Sequence, residues 1–198
     1  MLLWAAIAFI LLGLASIGID RRASHWLYGH VSQRFWNALD ATTHLAKASH
    51  WLIAAAVAWG LATYAGLAPL KPYAEAFLAS LLIGSIVLHA IKLVLGRRRP
   101  RDDFEMGLYG FQPLSFDPEF NSFPSGHALT IMCVAVIATA AWPMLAPLWF
   151  AVALWLGLTR ALLTAHYLSD VFVGAGIGLL SAREAVIHIV PQLAPAWF

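Results

Sequence analysis

Six apolar stretches, separated by polar or proline-containing segments, dominate the chain. A helix that crosses a membrane needs about 20 mostly apolar residues, and each stretch reaches or approaches that length. The pattern predicts an all-α, polytopic membrane protein, with a bundle of about six transmembrane helices. The predicted spans are Leu2–Ile19, Trp51–Ala68, Ala74–Gly96, His127–Trp142, Leu145–Thr164 and Leu168–Val190.

The composition excludes the other broad classes. Hydrophobic residues make up 61% of the 198 residues and charged residues 11%, whereas about 25% of a soluble domain is charged. A disordered chain has low hydrophobicity, and a soluble globule of this size could not bury so much apolar surface. The length allows one domain, which we expect to cover residues 1–198. The net charge of +2 does not indicate a nucleic-acid partner, and no obligate protein partner is evident.

Two connections between the spans are long. Asp20–His50 mixes aromatic with basic and polar residues, which predicts an interfacial helix at headgroup level with its aromatic rings toward lipid. Gly96–Phe123 is rich in proline, glycine and aromatic residues and predicts an irregular, functional loop. Because the loops of a six-span bundle alternate between sides, both connections and the turn near Ala165 share one membrane face.

The first block of unusual residues closes the third span. Lys92 lies in the last turns of an apolar helix, where a charge is costly and indicates function. Pro100 disfavours helical geometry at Arg99 and predicts the helix end there. Lys92 and Arg99, seven positions apart, can contact one anion if the chain turns back after Gly96. The alternative is a basic helix end that reaches the lipid headgroups.

The second block, Pro124-Ser125-Gly126-His127, opens the fourth span. Ser125 is a natural N-cap, and Gly126 permits close approach of a ligand to the backbone. Helix N-termini bind phosphate through free N–H groups, so His127 would lie beside an anion held there. The alternative is a plain capping turn with a solvated histidine.

The third block joins the fifth and sixth spans. Arg160 lies close to an apolar span and requires a partner or a ligand. His166 and Asp170 are four positions apart and share a helix face. An aspartate that accepts from the imidazole Nδ1–H leaves Nε2 free to react. The alternative is an ordinary His–Asp pair at a helix end.

Together the blocks predict a phosphate-ester site. The cations would neutralise the phosphoryl oxygens, one histidine would attack phosphorus, and the other would protonate the leaving oxygen. No group of Asp, Glu and His residues around the blocks has metal-ligand spacing, so we expect neither a metal nor another cofactor.

The pattern Lys92-x6-Arg99-Pro100, Pro124-Ser125-Gly126-His127 and Arg160-x5-His166-x3-Asp170 resembles the type 2 phosphatidic acid phosphatase (PAP2) family of lipid phosphate phosphatases. The match covers three motifs, in order, across residues 92–170. One departure is Thr159, where the family usually has serine.

The resemblance implies a metal-independent phosphatase with a six-helix core. His166 would be the nucleophile that forms a phosphohistidine, Asp170 would orient it, and His127 would protonate the leaving group. The implied phosphate-binding residues are Lys92, Arg99, Ser125, Gly126 and Arg160. Candidate substrates are phosphatidic acid, phosphatidylglycerophosphate, undecaprenyl diphosphate and lipid A phosphates, with membrane lipids around the protein.

Two rival interpretations use the same residues. A non-enzymatic anion-binding membrane protein or transporter could use Lys92, Arg99 and Arg160 as a gate, although transporters place such residues near the bilayer midplane. Vanadate-dependent haloperoxidases share the anion site, but they are soluble proteins. The six apolar spans of this chain argue against that interpretation.

The family resemblance places the active site on the periplasmic face of a bacterial inner membrane. The positive-inside rule opposes that placement, and we follow the family. The site face carries Arg21, Arg22, Arg34, Lys47, Arg97, Arg98, Arg99 and Arg101, whereas the opposite face has Lys71 and Arg183. We expect Arg97, Arg98 and Arg101 to contact lipid headgroups and His89 to be a packed polar residue.

Overall fold

The computed structural model describes residues 1–194 and 198, and this part of the chain forms nine α-helices with no β-strand. Short 3-10 turns and irregular segments join them. The helices are α1 Leu2–Ser16, α2 Asp20–His30, α3 Gln33–Thr43, α4 Ala48–Tyr64, α5 Lys71–Leu95, α6 Pro100–Met106, α7 Gly126–Ala141, α8 Ala146–Leu162 and α9 Leu168–Ile189.

The six predicted spans correspond to α1, α4, α5, α7, α8 and α9, which confirms the all-α membrane fold. Four helical segments among the described residues are long and apolar enough to cross a membrane: Gln33–Tyr64, Ala68–Leu95, Pro143–Leu162 and Leu168–Ile189. Helix α1 passes the same test together with α2, although the two are bent by 85°. Helix α7 is shorter, with 16 residues, and ten of them are buried among the other helices.

Helix α9 lies at the centre of the bundle and packs against α1, α5 and α7. Small residues permit this close packing. A Cβ atom at Gly174 would lie 2.3 Å from the carbonyl oxygen of Ser125, so a side chain there would push α9 away from the start of α7. The contact holds the N-terminal ends of α7 and α9 together, and the Ser125 amide donates to the Asp170 carbonyl oxygen at 2.9 Å.

The first long connection is helical, as predicted, but the structure divides it into two helices. Val31 is extended, and Ser32 begins α3 as its N-cap by accepting a hydrogen bond from the Phe35 amide. A serine at this position favours a new helix start over helix continuation. The site-bearing side of the bundle is therefore covered by two separate helices, α2 and α3, rather than by one continuous helix.

The prediction that Pro100 ends the third span at Arg99 was wrong. Helix α5 ends at Leu95, and Gly96 turns the chain with a φ of 48°. A Cβ atom on Gly96 would lie 2.1 Å from the carbonyl oxygen of Gln112, so the turn requires glycine. Pro100 instead begins α6, since its missing N–H is tolerated in a first helical turn. The predicted irregular loop thus contains one short helix.

Candidate active site

The three sequence blocks converge at one end of the bundle. Two backbone carbonyls just before α7 join them: the Lys92 ammonium donates to the Asn121 carbonyl, and the His166 imidazole contacts that of Ser122. Arg99, Arg160 and His166 lie close enough to His127 for electrostatic interaction. The fold therefore brings together residues that the sequence separates by as many as 78 positions, from Lys92 to Asp170.

His166 is buried in the turn before α9, and its Nδ1 lies 2.8 Å from the Ser122 carbonyl oxygen. Because a carbonyl oxygen only accepts, Nδ1 carries the proton and Nε2 keeps its lone pair. Burial lowers the pKa of His166 to about 4, although the Asp170 carboxylate opposes the shift. The imidazole is therefore neutral at pH 7, as a nucleophile must be.

The Asp170 carboxylate lies farther from His166 than the sequence interpretation assumed. Its Oδ2 atom is 3.5 Å from Nδ1, beyond the usual length of a hydrogen bond. The Ser122 carbonyl is thus the closer partner and fixes the tautomer. At 3.5 Å the carboxylate is still near enough to stabilise a positive charge that develops on the ring.

Asp170 itself is fully buried and has hydrogen-bond donors on both oxygens. Oδ2 accepts from the Ser122 hydroxyl and, at 2.9 Å, from the Tyr167 amide. Oδ1 accepts from Nη1 of Arg97 at 2.7 Å. The carboxylate is therefore fixed in one orientation beside the imidazole.

Arg97 lies in a different place from the one that the sequence analysis predicted. It was expected at the lipid headgroups, but its side chain is 0% exposed. It contacts Asp170 and, at 2.9 Å, Asp20 at the start of α2. Its guanidinium carbon also lies 4.1 Å from the centre of the Tyr167 ring. Burial alone would lower the pKa of Arg97, but the two carboxylates raise it, so this arginine remains charged.

The cluster is completed by Ser169 on the first turn of α9. Its hydroxyl accepts from Arg97 at 2.7 Å and donates to the Asp20 carboxylate, which also accepts from the Ser169 amide. We call Asp20, Arg97, Ser169 and Asp170 the buried ion cluster. No sequence motif joins its members, because Asp20 is 77 positions before Arg97.

Lys92, Arg99 and Arg160 have no carboxylate within 4.0 Å in the described part of the chain. All three are half-buried. Burial first, and then the charge of Arg101, lower the pKa of Arg99. Three cations held close together without counter-ions repel one another, so the site favours a bound anion.

Arg160 is oriented by two threonines. Its Nη1 donates to the Thr43 hydroxyl at 3.1 Å, and that hydroxyl also accepts from Thr159 at 3.0 Å. Thr159, which departs from the family pattern, thus still has a hydroxyl group that makes a hydrogen bond beside Arg160. Nε of Arg160 is buried and has no partner among the described residues, which leaves one donor available for a ligand.

The start of α7 supplies the remaining predicted residues. Ser125 is the N-cap, as predicted, and accepts from the Ala128 amide at 3.5 Å. Gly126 and His127 form the first turn, and the His127 side chain is half-buried. Helix N-termini attract anions, and this one lies beside the three unpaired cations.

The family model of the PAP2 superfamily matches residues 73–193 of the chain. The chain belongs to the PAP2 superfamily. This PAP2 chain is 31% identical over 121 residues to the lipid A 1-phosphatase of Rhizobium etli. That alignment covers 59% of the chain and 52% of the relative. It is 33% identical over 99 residues to that of Rhizobium johnstonii, covering 50% of the chain and 41% of the relative. The chain thus spans about half the length of these curated relatives.

Solved structures share the PAP2 fold at low identity. LpxE of Aquifex aeolicus aligns with a TM-score of 0.65 and 16% identity, over 86% of this chain and 96% of that one. The first transmembrane PAP2-type phosphatidylglycerolphosphate phosphatase from Bacillus subtilis aligns with a TM-score of 0.67 and 20% identity, over 100% and 98%. The bundle is therefore a known transmembrane PAP2 architecture.

Arg98 and Arg101 differ from the unpaired cations in their surroundings. Arg98 pairs with Glu119 at 2.7 Å, whereas the side chain of Arg101 is 61% exposed, as a headgroup contact requires. His89 was expected to be packed, but it is exposed on α5 and its Nδ1 contacts the Ser85 carbonyl at 2.8 Å. The Ser85 carbonyl holds the proton on Nδ1 of His89, but this hydrogen bond within α5 does not connect His89 with the site.

Proposed function

We propose that the protein is an integral membrane phosphatase that hydrolyses a lipid phosphate monoester or diphosphate through a phosphohistidine intermediate. One observation carries the proposal: three cations without counter-ions converge on a neutral histidine whose Nδ1 is held by a backbone carbonyl. The cations supply the charge that a phosphoryl group requires, and the free Nε2 supplies the nucleophile.

The first chemical step forms the P–N bond. Nε2 of His166 attacks phosphorus while Lys92, Arg99 and Arg160 neutralise the phosphoryl oxygens. The P–O bond to the lipid breaks, and His127 donates a proton to the departing oxygen; it takes up this proton when the bound phosphate offsets the charges of Arg99 and Arg160 beside it. The positive charge on His166 is stabilised by Asp170 and by the Ser122 carbonyl, and Ser125 and Gly126 hold the phosphate at the helix N-terminus.

The second step breaks the P–N bond. A water molecule gives a proton to the now neutral His127 and attacks phosphorus, so that inorganic phosphate leaves and His166 becomes neutral again. The same histidine acts as acid and then as base, as microscopic reversibility requires. Each step thus has one bond formed, one bond broken and one proton moved.

We further propose that the reaction needs no metal ion. The protein's own cations take the electrostatic role that a metal would have. Within residues 1–194 and 198, no group of three or more His, Cys, Asp or Glu side chains could hold a metal ion.

The substrate is a lipid because the site lies where apolar helices end, at headgroup level. The names of the two Rhizobium relatives favour a lipid A type phosphate, and the name of the Bacillus structure makes phosphatidylglycerophosphate a second candidate. Phosphatidic acid and undecaprenyl diphosphate complete the panel to be tested.

Phosphate release tests this proposal. Purified protein in detergent with EDTA should release inorganic phosphate from at least one lipid of the panel, and Lys71→Gln, at the opposite end of α5, should behave like the wild type. Loss of activity in EDTA that Mg²⁺ or Zn²⁺ restores would contradict the metal-free mechanism. Binding without release would favour an anion-binding protein.

We also propose that the site faces the periplasm from a bacterial inner membrane. Cys133 is buried and is the only cysteine of the chain, so an introduced thiol can report the side. Phe116 is 86% exposed in the connection between α6 and α7, and Met144 is 95% exposed in the turn after α7, at the opposite end of that helix. A membrane-impermeant maleimide on whole cells should label Phe116→Cys but not Met144→Cys, and the reverse would overturn the orientation.

A further inference from the structure

Asp20 is the member of the buried ion cluster that lies outside the residues matched by the family model, 73–193. It is the first residue of α2 and is 1% exposed. Its carboxylate accepts from the Ser169 amide at 3.1 Å and from the Ser169 hydroxyl. Because the first amides of a helix have no partner within it, Asp20 caps α9 from another helix. An uncharged acceptor caps a helix as well, so capping alone does not explain a buried charge here.

The charge of Asp20 has a second contact. Its Oδ2 atom lies 2.9 Å from Nη2 of Arg97, and Nη1 of the same guanidinium lies 2.7 Å from Oδ1 of Asp170. One arginine thus bridges two carboxylates, and all three side chains are 0% exposed. Donors from Arg97 and Ser169 occupy the oxygens of Asp20, so this carboxylate needs no proton. The three charged groups together carry a net charge of −1, which water screens little at such burial.

This negative charge lies behind the proposed nucleophile. Oδ2 of Asp170 is 3.5 Å from Nδ1 of His166, and the ring becomes positive when Nε2 attacks phosphorus. If Asp20 were neutral, the charge of Arg97 would offset that of Asp170 alone, and the net charge of the three groups would be zero. Removal of a unit charge about 10 Å from a reacting group changes a rate by about 10-fold at an effective dielectric constant near 20.

We propose that Asp20 is a positioning residue for phosphoryl transfer. By holding Arg97 and balancing its charge, Asp20 leaves Asp170 able to stabilise the positive charge that develops on His166. Asp20 then determines how fast the P–N bond forms and the P–O bond to the leaving group breaks, but not how tightly phosphate binds. This inference rests on the proposed phosphatase function.

The test compares the rate of the first chemical step with phosphate binding. Rapid quench with excess ³²P-labelled p-nitrophenyl phosphate gives the rate constant of phosphoenzyme formation, and inhibition by inorganic phosphate gives its binding. The aryl leaving group needs no proton, so the rate constant reports attack by His166. Unlike the amount of label, this rate constant does not depend on how much of a variant has folded.

Asp20→Asn keeps an acceptor oxygen for Ser169 but removes the charge. It should lower the rate constant by about 10-fold and leave the inhibition constant of phosphate unchanged. Asp20→Glu keeps the charge and should form the phosphoenzyme faster than Asp20→Asn. Asp103→Asn is the matched control: its carboxylate is 1% exposed and also pairs with α2, but through Arg21 at 2.8 Å. This control should keep the wild-type rate constant.

Three results would overturn the inference while the proposed function stands. They are an unchanged rate constant in Asp20→Asn, a loss of phosphate binding as large as the loss of rate, and an equal loss of rate in Asp103→Asn. An Asp20→Glu variant no faster than Asp20→Asn would also overturn it, because shape and not charge would then matter. Failure of the wild type to release phosphate from any ester would instead overturn the proposed function.

Discussion

Replacement of Arg97 by methionine should destabilise the protein strongly and slow its chemistry. Methionine keeps much of the side-chain length but removes the positive charge between Asp20 and Asp170. All three side chains are 0% exposed, so neither carboxylate can recover its hydration without a structural change. Removal of one partner from a buried ion pair costs about 3–5 kcal/mol.

The remaining contacts put the expected loss near the lower end of that range. Asp20 keeps hydrogen bonds from the amide and hydroxyl of Ser169, and Asp170 keeps those from Ser122 and Tyr167. We therefore expect Arg97→Met to lower the free energy of unfolding by about 3 kcal/mol. Because Asp170 also loses the donor that holds its Oδ1 atom, kcat should fall more than KM changes.

The assay is denaturant unfolding in detergent, with phosphate release measured on the same samples. Arg101→Met is the matched control, since that side chain is 61% exposed and its loss should change stability by less than about 0.5 kcal/mol. Addition of Asp20→Asn to Arg97→Met should restore part of the stability by removing one unpaired charge. Equal stabilities of Arg97→Met and Arg101→Met would refute the reasoning.

Further predictions concern the phosphate site and the histidines. Arg160→Gln should lower kcat/KM by about 10²-fold or more, the loss seen when a transition-state donor is removed, whereas Lys71→Gln should have little effect; equal losses would show that the site is misplaced. His127→Ala should reduce turnover of lipid esters far more than turnover of p-nitrophenyl phosphate, whose leaving group needs no proton, and equal losses in steady-state assays would contradict its role as acid. The lowered pKa of His166, about 4 in the folded protein against about 6.5 in an unfolded chain, means that the unfolded state binds the proton more readily. The free energy of unfolding should thus fall as the pH decreases from about 6.5 to 4, and this fall should be smaller in His166→Gln; an identical pH dependence in both proteins would contradict the burial of a neutral imidazole.

The helices and the proposed phosphate site could be predicted because their signals are local. An apolar run of span length leaves few alternatives to a membrane helix, and each motif lies within a few positions of a helix end. The break at Ser32 was missed because aromatic and polar residues continue across it without a proline, and the nearby Gly29 lies inside α2 rather than at the break. The third span was predicted to end at Gly96, and α5 ends one residue before it. The close approach of the Gln112 carbonyl, which makes glycine necessary there, was not predictable because only the fold brings that carbonyl near.

The buried ion cluster could not be predicted for a different reason. Arg97 lies in a run of three arginines, and nothing in that run distinguishes the buried member from Arg98. The distinction comes from α2, which places Asp20 against the start of α9. The Ser122 carbonyl that fixes the His166 tautomer is likewise a backbone group, and the sequence pattern carries no information about its direction.

Trapping of the covalent intermediate tests the central claim most directly. Wild type and variants are mixed with ³²P-labelled aryl phosphate, denatured in detergent at alkaline pH, and examined for protein-bound label that acid removes, as a P–N bond requires. Label should form on wild type and on His127→Ala, and should be absent from His166→Ala. Label that persists in His166→Ala, or its absence from every protein despite rapid single-turnover release of phosphate, would contradict attack by His166.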